Sequence, residues 1–321
     1  MAQPTLQQVH IDTALTNVST AYQQADDQFI ATKVFPIVPV DKPTGKIFTY
    51  NKADWFRDEA KPRADATESA GSGYGLSTVG YSCDVFALHK DIGPQIRATA
   101  DPQVDLERDA TRFITQRMLL RREIQFVSDV FGTGIWGTDA TPANLWNDYG
   151  NSNPISDVRA AKRTILSITG QPANALVLGY DVYDQLLDHP DIVDRIKYTT
   201  SVTGRTVNEA LLAAMFDVKN VYVAKAIKNT GVEGEAAAYS FVFGKSALLL
   251  HVADNPGLLT PSSGYTLVWR GVDYGMGDNN IGVKQEIVPL TGGAVRVEGQ
   301  NAFDHKILGV DLGYFFNGAV A

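Results

Sequence analysis

Between Asp101 and Phe131 the apolar residues Val104, Leu106, Ala110, Phe113, Ile114, Leu120, Ile124, Val127 and Phe131 recur near three- and four-residue spacing. That period predicts one long helix over 101–131, an apolar stripe on a polar rod. Asp101 suits its N-cap, and Pro102 its first turn, where a missing N–H costs nothing. Glu107 and Asp109 sit where acids complement the helix dipole, and Gly132 and Gly134 end the helix. At 1.5 Å per residue such a rod spans about 45 Å, more than one small domain can bury along its length. It reads as a spine. Its polar face carries Arg108, Arg112, Arg117, Arg121 and Arg122, with Glu107, Asp109, Glu123 and Asp129 interspersed. Such a face is either solvated and laced with local ion pairs or a row of guanidinium clamps for acids of neighbouring subunits.

Before the spine the patterning is weaker. Residues 1–28 are polar and Gln-rich, with a helix conceivable from Asp12 to Tyr22, and read as an arm lying against something else. Residues 29–40, FIATKVFPIVPV, hold Pro36 and Pro39 among large apolar side chains, so an extended segment seeking a groove is expected there. KIFTYN (46–51) and TVGYSCDVFALH (78–89) have the composition of paired strands. The charged, then Gly- and Ser-rich stretch between them is an excursion too long for a compact domain, so it is expected either to be disordered or to be held by a neighbouring molecule, and to be mobile in a monomer.

Beyond the spine, helices are predicted from Ser156 to about Ile168, over 180–198 with a break near Pro190, and over 206–216 with Thr206 and Glu209 as a capping box. NALVLG (174–179) and NVYVAKAI (220–227) read as strands, which makes 154–265 an α/β layer. From Tyr239 onward strand-like runs alternate with Gly, Pro and Asn turns. The fold class is α+β.

Composition narrows the functions. Lys plus Arg is 28 and Asp plus Glu is 36, giving a net charge of 28 − 36 = −8 over 321 residues. This argues against a dedicated nucleic-acid binder but not against an acidic shell enclosing nucleic acid. Cys83 is the single cysteine, so neither an intrachain disulfide nor a thiolate zinc cluster can form. No run of about 18 apolar residues exists, and the N-terminal residues lack the pattern of a signal peptide.

The chemical motifs fail on spacing. Gly244-Lys245-Ser246 has Tyr239 where a phosphate loop needs glycine, and Gly71, Gly73 and Gly75 have Leu76 where a dinucleotide fold needs its last one. The five histidines are scattered, with His189 before Pro190 reading as a helix-end residue. The acidic loop DYGMGDNN (273–280) lacks the ligand order of a calcium loop. No catalytic residue, cofactor site or metal site is assigned. The expectation is a structural protein, not an enzyme.

The order of parts, with NALVLGYDVYDQLLDHPDIVDRIKYT (174–199), FVFGKSALLLHVADNP (241–256) and KILGVDLGYFFNGA (306–319), resembles the major capsid proteins of tailed bacteriophages, the HK-ninety-seven-like fold. The resemblance covers nearly the whole chain. It implies an N-arm (1–40), an extended E-loop (41–90) and a P-domain (91–153) containing the spine helix 101–131. It further implies an α/β A-domain (154–265), P-domain strands (266–305) and a terminal strand (306–321) returning to the A-domain. Hexamers and pentamers would build an icosahedral head around double-stranded DNA contacted non-specifically, in the virion capsid, after assembly in the host cytoplasm. Partners would be a portal, a separate scaffolding protein (only about 28 residues precede the first apolar segment) and, in some relatives, a cement protein, with no membrane. Some relatives crosslink a lysine to an asparagine, but nothing near Lys46, Lys52 or Lys61 marks a partner.

On this reading Phe29, Val34, Phe35, Ile37, Trp55 and Phe56 are expected to anchor onto neighbours, each large side chain contributing roughly 1.5–3 kcal/mol when buried. Asp58 and Glu59 are expected to approach Arg117, Arg121 or Arg122 of an adjacent spine. The alternatives are an encapsulin-type nanocompartment enclosing a cargo enzyme and an α/β enzyme with a ligand pocket.

Overall fold

A computed structural model describes residues 23–100, 105–199, 207–257, 259–271, 281–289 and 292–321. The conceivable helix at 12–22, the Asp101 and Thr206 caps, Pro102, Val104 and the acidic loop at 273–280 lie outside them. In chain order, a 3₁₀ turn (Asp26–Gln28) leads to α1 (Ala31–Val34) and β1 (Ile37–Val40). A hairpin of β2 (Thr44–Tyr50) and β3 (Leu76–Ser82) carries α2 (Lys52–Trp55) near its tip. Then follow β4 (Asp84–Ile92), α3 (Pro94–Thr99) and the spine helix α4 (Leu106–Val130). The next lobe holds β5 (Thr138–Ala140), α5 (Pro154–Thr169), β6 (Ala175–Gly179), α6 (Tyr180–Leu187), α7 (Pro190–Thr199), α8 (Glu209–Phe216) and β7 (Asn220–Ala224). A small hairpin of β8 (Ile227–Asn229) and β9 (Tyr239–Phe241) precedes β10 (Ala247–Leu250), β11 (Gly264–Trp269), β12 (Gly282–Val288), β13 (Ala294–Ile307) and β14 (Gly313–Phe316).

The spine starts at an Asp105 cap, whose side chain accepts from the Arg108 N–H at 3.0 Å, so α4 is 25 residues, about 38 Å. Its buried positions are Ala110, Ile114, Met118, Leu119, Arg122, Glu123, Phe126 and Val130. The stripe is therefore rotated from the predicted one: Phe113 turns outward, and two charged residues turn in.

α4 packs on a five-stranded sheet centred on β13, with β4 along one edge and β12 then β11 along the other. Gly299 lets helix and sheet touch, since a Cβ there would lie 2.4 Å from Ile114 Cγ2. β1 extends this sheet, parallel to β11 from Ile37↔Thr266 to Val40↔Trp269. The wholly extended reading of 29–40 is thus corrected to one helical turn and a strand, with Pro39 tolerated because β1 lies at the edge. The 78–89 run is two strands, broken at Cys83: β3 pairs with β2, and β4 pairs with β13. Lys306 and Ile307, read as part of the closing strand, continue β13.

The second sheet runs β5-β14-β10-β6-β7. All residues of β6 and β10 are buried, the mark of strands covered on both faces. Ala175 and Val177 of β6 face the core beneath α4, while Leu176 and Leu178 face a second core built with α5, α6 and α8. One sheet thereby couples the two cores. Asn208, not Thr206, caps α8, accepting from the Leu211 N–H at 2.9 Å.

Candidate assembly surfaces

The opening segment is held by its own chain. The first N–H groups of a helix lack intrahelical partners. At α1 a carboxylate from the spine supplies them: Glu123 Oε1 accepts from Ile30 N and Oε2 from Ala31 N, both at 3.0 Å. Glu123 is buried, and desolvation lifts its pKa to about 7 against the lowering pull of the two N–H donors, Arg122 and Lys33. A second stitch comes from Gln24, whose amide donates to the Ile227 carbonyl and accepts from the Ile227 N–H, each at 2.9 Å, as a strand neighbour would.

Three of the expected anchors are corrected accordingly. Phe29, Val34 and Phe35 are buried in this chain's own core, with Phe35 edge-on to Phe126 at 5.3 Å between centroids. Ile37 is half-buried in β1. Arg122 is also withdrawn from the clamp set. It lies in phase with Met118 and Phe126 and is buried, and desolvation pulls its pKa down to about 10. Below it, neutral His305 donates from Nε2 to the Arg122 carbonyl at 3.3 Å and accepts at Nδ1 from Thr266 Oγ1 at 3.0 Å. Burial pushes its pKa down to about 3.

Glu123 escaped the sequence reading because it was counted with the polar face. The signal was available: it follows Leu119 by four residues and precedes Phe126 by three, in phase with the buried stripe.

The hairpin has no core. No residue from Asp41 to Ser82 is buried. Near its tip Tyr50, Trp55 and Tyr74 form a ring cluster with centroids 5.9–6.1 Å apart, and Asp54 Oδ2 accepts from the Gly75 N–H at 2.9 Å. Trp55 and Phe56 remain 55% and 63% exposed. Asp58 is exposed, while Glu59 is half-exposed and paired with Arg57 at 3.4 Å. The tip reaches back across the second lobe, where Lys52 pairs with Asp311 and the Phe56 ring covers Gly170, the left-handed C-cap of α5.

Arg117 and Arg121 are exposed on α4. Arg117 stacks over Phe113 at 5.1 Å, with Lys90 5.6 Å from the same ring, and Arg121 stacks over Phe86 at 4.9 Å. Arg121 also donates to Gln125 Oε1 at 2.8 Å. Among the described residues no carboxylate lies within ion-pairing distance of Arg108, Arg112, Arg117 or Arg121. Glu107 of the same face pairs with Arg97 at 2.9 Å. Asp58 and Glu59 are not brought to Arg117, Arg121 or Arg122 within one chain.

The polar groups that invited chemical readings have structural tasks. Ser152 Oγ donates to the Asp148 carbonyl at 2.7 Å, so His189 Nε2–H donates to Ser152 Oγ at 3.0 Å and Nδ1 accepts from Asp191 N at 3.2 Å. His189 thus caps α7, with Pro190 at its first position. Ser246 Oγ accepts from Gly318 N at 3.1 Å and the Lys245 carbonyl from Ala319 N at 2.8 Å, tying down the closing segment. Cys83 is buried, and desolvation pushes its thiol up to about 11, away from the reactive thiolate. Among the described residues no group of three or more His, Cys, Asp or Glu could hold a metal ion, and no helix is long and apolar enough to cross a membrane.

No family model matches the chain. It is 27% identical to the major capsid protein of Burkholderia phage BcepMu and 26% identical to that of Pseudomonas phage JBD67, covering 96% and 97% of both partners respectively. Among solved structures, a phage-related protein of Bordetella bronchiseptica aligns with a TM-score of 0.69 at 23% identity over 93% of both chains. The SrpI encapsulin of Synechococcus elongatus aligns with a TM-score of 0.58 at 11% identity over 96% of this chain and 95% of its own.

Proposed function

We infer that this chain is a major capsid protein of the tailed-bacteriophage family, with the HK-ninety-seven-like fold. The observation that carries this is the end-to-end likeness to the BcepMu capsid protein, 27% identity over 96% of both chains. The architecture agrees with it physically. A coreless hairpin with exposed rings needs a neighbour to offset the entropy of ordering it. The role is structural rather than catalytic.

On this reading residues up to 40 form the arm, and the β2–β3 hairpin is the E-loop. The spine helix with the β13-centred sheet forms the P-domain, and the β10-centred sheet with its helices forms the A-domain. Hexamers and pentamers of this chain enclose double-stranded DNA in the virion, after assembly in the host cytoplasm with a separate scaffolding protein and a portal. Trp55 and Phe56 dock on neighbours. Asp58 and Glu59 pair with Arg117 and Arg121 of an adjacent copy once Glu59 leaves Arg57. Such exposed pairs give only about 0–1 kcal/mol each and set register more than strength.

The tests are sedimentation and content. Recombinant chain with its scaffolding protein sediments as large particles, and particles from infected cells carry DNA. A copurified enzyme in place of DNA would favour the encapsulin reading, and a uniform small monomer would contradict both. For the charge pairing, Glu59→Arg or Arg121→Glu alone weakens assembly and the two together restore it. Singles that assemble normally would refute that pairing.

A further inference from the structure

The two flanks of the spine differ. On one, Gln116 Nε2 donates to Asp26 Oδ1 at 3.3 Å and Glu123 caps α1, so the opening segment of the chain covers it. On the other, Phe113, Arg117 and Arg121 lie beside β4, as the contacts of Lys90 with the Phe113 ring and of Arg121 with the Phe86 ring show. Helix and strand run side by side in opposite directions here. From Phe113 to Arg121 the helix advances about 12 Å, and from Phe86 to Lys90 the strand advances about 13 Å.

β4 is an edge strand: its nine residues pair with β13 and, among the described residues, with no other strand. Such an edge presents backbone N–H and C=O groups to an incoming strand. Beside it Arg117 and Arg121 are held over rings, and among the described residues neither they nor Lys90 has a carboxylate within ion-pairing distance. Of the acids on β4 itself, Asp91 is tied to Arg296 at 2.8 Å, and Asp84 stands at the end of the strand beyond Phe86. The spacing is also that of a strand. Arg117 and Arg121 are about 6 Å apart along the helix axis, and alternate residues of a strand are about 6.6 Å apart. A strand added to β4 with acids at alternate positions therefore sets one carboxylate against each guanidinium and a third towards Lys90.

We propose that this flank is a docking site for an acidic, extended peptide of a separate protein, bound as an added strand on β4 with alternate Asp or Glu side chains on Arg121, Arg117 and Lys90. Charge complementarity and spacing identify the partner. Duplex DNA would meet the same cations but brings no strand to the edge. Because Arg117 and Arg121 also receive Asp58 and Glu59 of an adjacent copy, the peptide and that pairing exclude each other, so the peptide keeps this contact open until it is displaced. That consequence rests on the capsid reading; the docking itself does not.

The probe is a short fluorescein-labelled peptide alternating glutamate with threonine, titrated with unassembled chain and followed by anisotropy. It should bind, and Arg117→Ala and Arg121→Ala should each weaken binding about two- to fivefold, as expected for an exposed pair, with the unfolding midpoint of each variant confirming an intact fold. A peptide of the same composition with its glutamates grouped at one end should bind less tightly. Methylating alternate backbone nitrogens should cost about tenfold or more, since the edge then loses its strand partner. No binding, or equal binding of the grouped or methylated peptide, would overturn the proposal, the latter because charge attraction alone would explain it. A duplex DNA oligonucleotide that binds more tightly and is weakened by the same variants would overturn it in favour of nucleic acid. Excess peptide should also lower particle yield. Unaltered yield with the peptide bound refutes the exclusion of Asp58 and Glu59, whereas absence of particles without peptide refutes the capsid reading and leaves the measured docking standing.

Discussion

Glu123→Gln and Glu123→Ala separate two effects of one carboxylate. As an acceptor, Glu123 satisfies the N–H groups of Ile30 and Ala31. Alanine leaves both without a partner in a dry site, at about 1–3 kcal/mol each, about 2–6 kcal/mol together; since alanine does not titrate either, the deficit of Glu123→Ala against wild type should be largest at low pH and shrink as pH rises through about 7. As a charge, the same group is held at a cost, since burial lifts its pKa from 4.5 to about 7. The folded chain binds this proton more tightly than the unfolded chain, so the associated stability is fully present below 4.5 and is lost as pH rises through about 7. That displacement corresponds to about 3 kcal/mol. Glutamine lacks the titration. The unfolding free energy of Glu123→Gln relative to wild type should therefore rise by about 3 kcal/mol between pH 4.5 and 7.5, then level off. Urea unfolding of unassembled chain, followed by tryptophan fluorescence across that range, measures it. Parallel wild-type and glutamine curves would refute the claim that desolvation outweighs the two N–H donors.

His305 runs the other way. Burial holds its pKa near 3, so its contribution is intact above 6.5 and is lost as pH falls from 6.5 towards 3; His305→Gln should flatten the acid limb of the stability profile, and an unchanged limb would count against this. Gly299→Ala should cost about 1–3 kcal/mol by wedging the spine off β13, seen as a lowered Tm, with no change meaning that Ile114 gives way freely. Trp55→Ser and Phe56→Ser should leave the unassembled chain within about 0.5 kcal/mol of wild type while reducing particle yield, and unaltered yield would remove these rings from the assembly surface.

Much of this was legible because it rests on local pattern. The spine, the break at Pro190 and the coreless excursion follow from period, proline and composition. What misled was phase and partner. Phe113 looked like a core residue, yet it is 46% exposed and serves as a platform for Arg117, because the true stripe runs through Met118, Arg122 and Phe126. Two charges in phase with apolar neighbours are the trace of a buried polar contact, and only the α1 backbone reveals what that contact is. Phe29, Val34 and Phe35 looked like anchors in search of a groove. They have one, but the same chain provides it, and no single-chain periodicity distinguishes the two cases. The hairpin tip shows the converse: exposure of Trp55 and Phe56 is predictable from their surroundings, whereas the approach of Lys52 to Asp311 links residues far apart in sequence.

The central claim is that this chain builds a closed shell. Electron cryomicroscopy of the full-length recombinant chain, alone and with its scaffolding protein, tests it most directly. Closed icosahedral particles tiled by hexamers and pentamers, with the β2–β3 hairpin lying across an adjacent copy, are the predicted result. A uniform small monomer under both conditions, with the hairpin folded on its own chain, would contradict it.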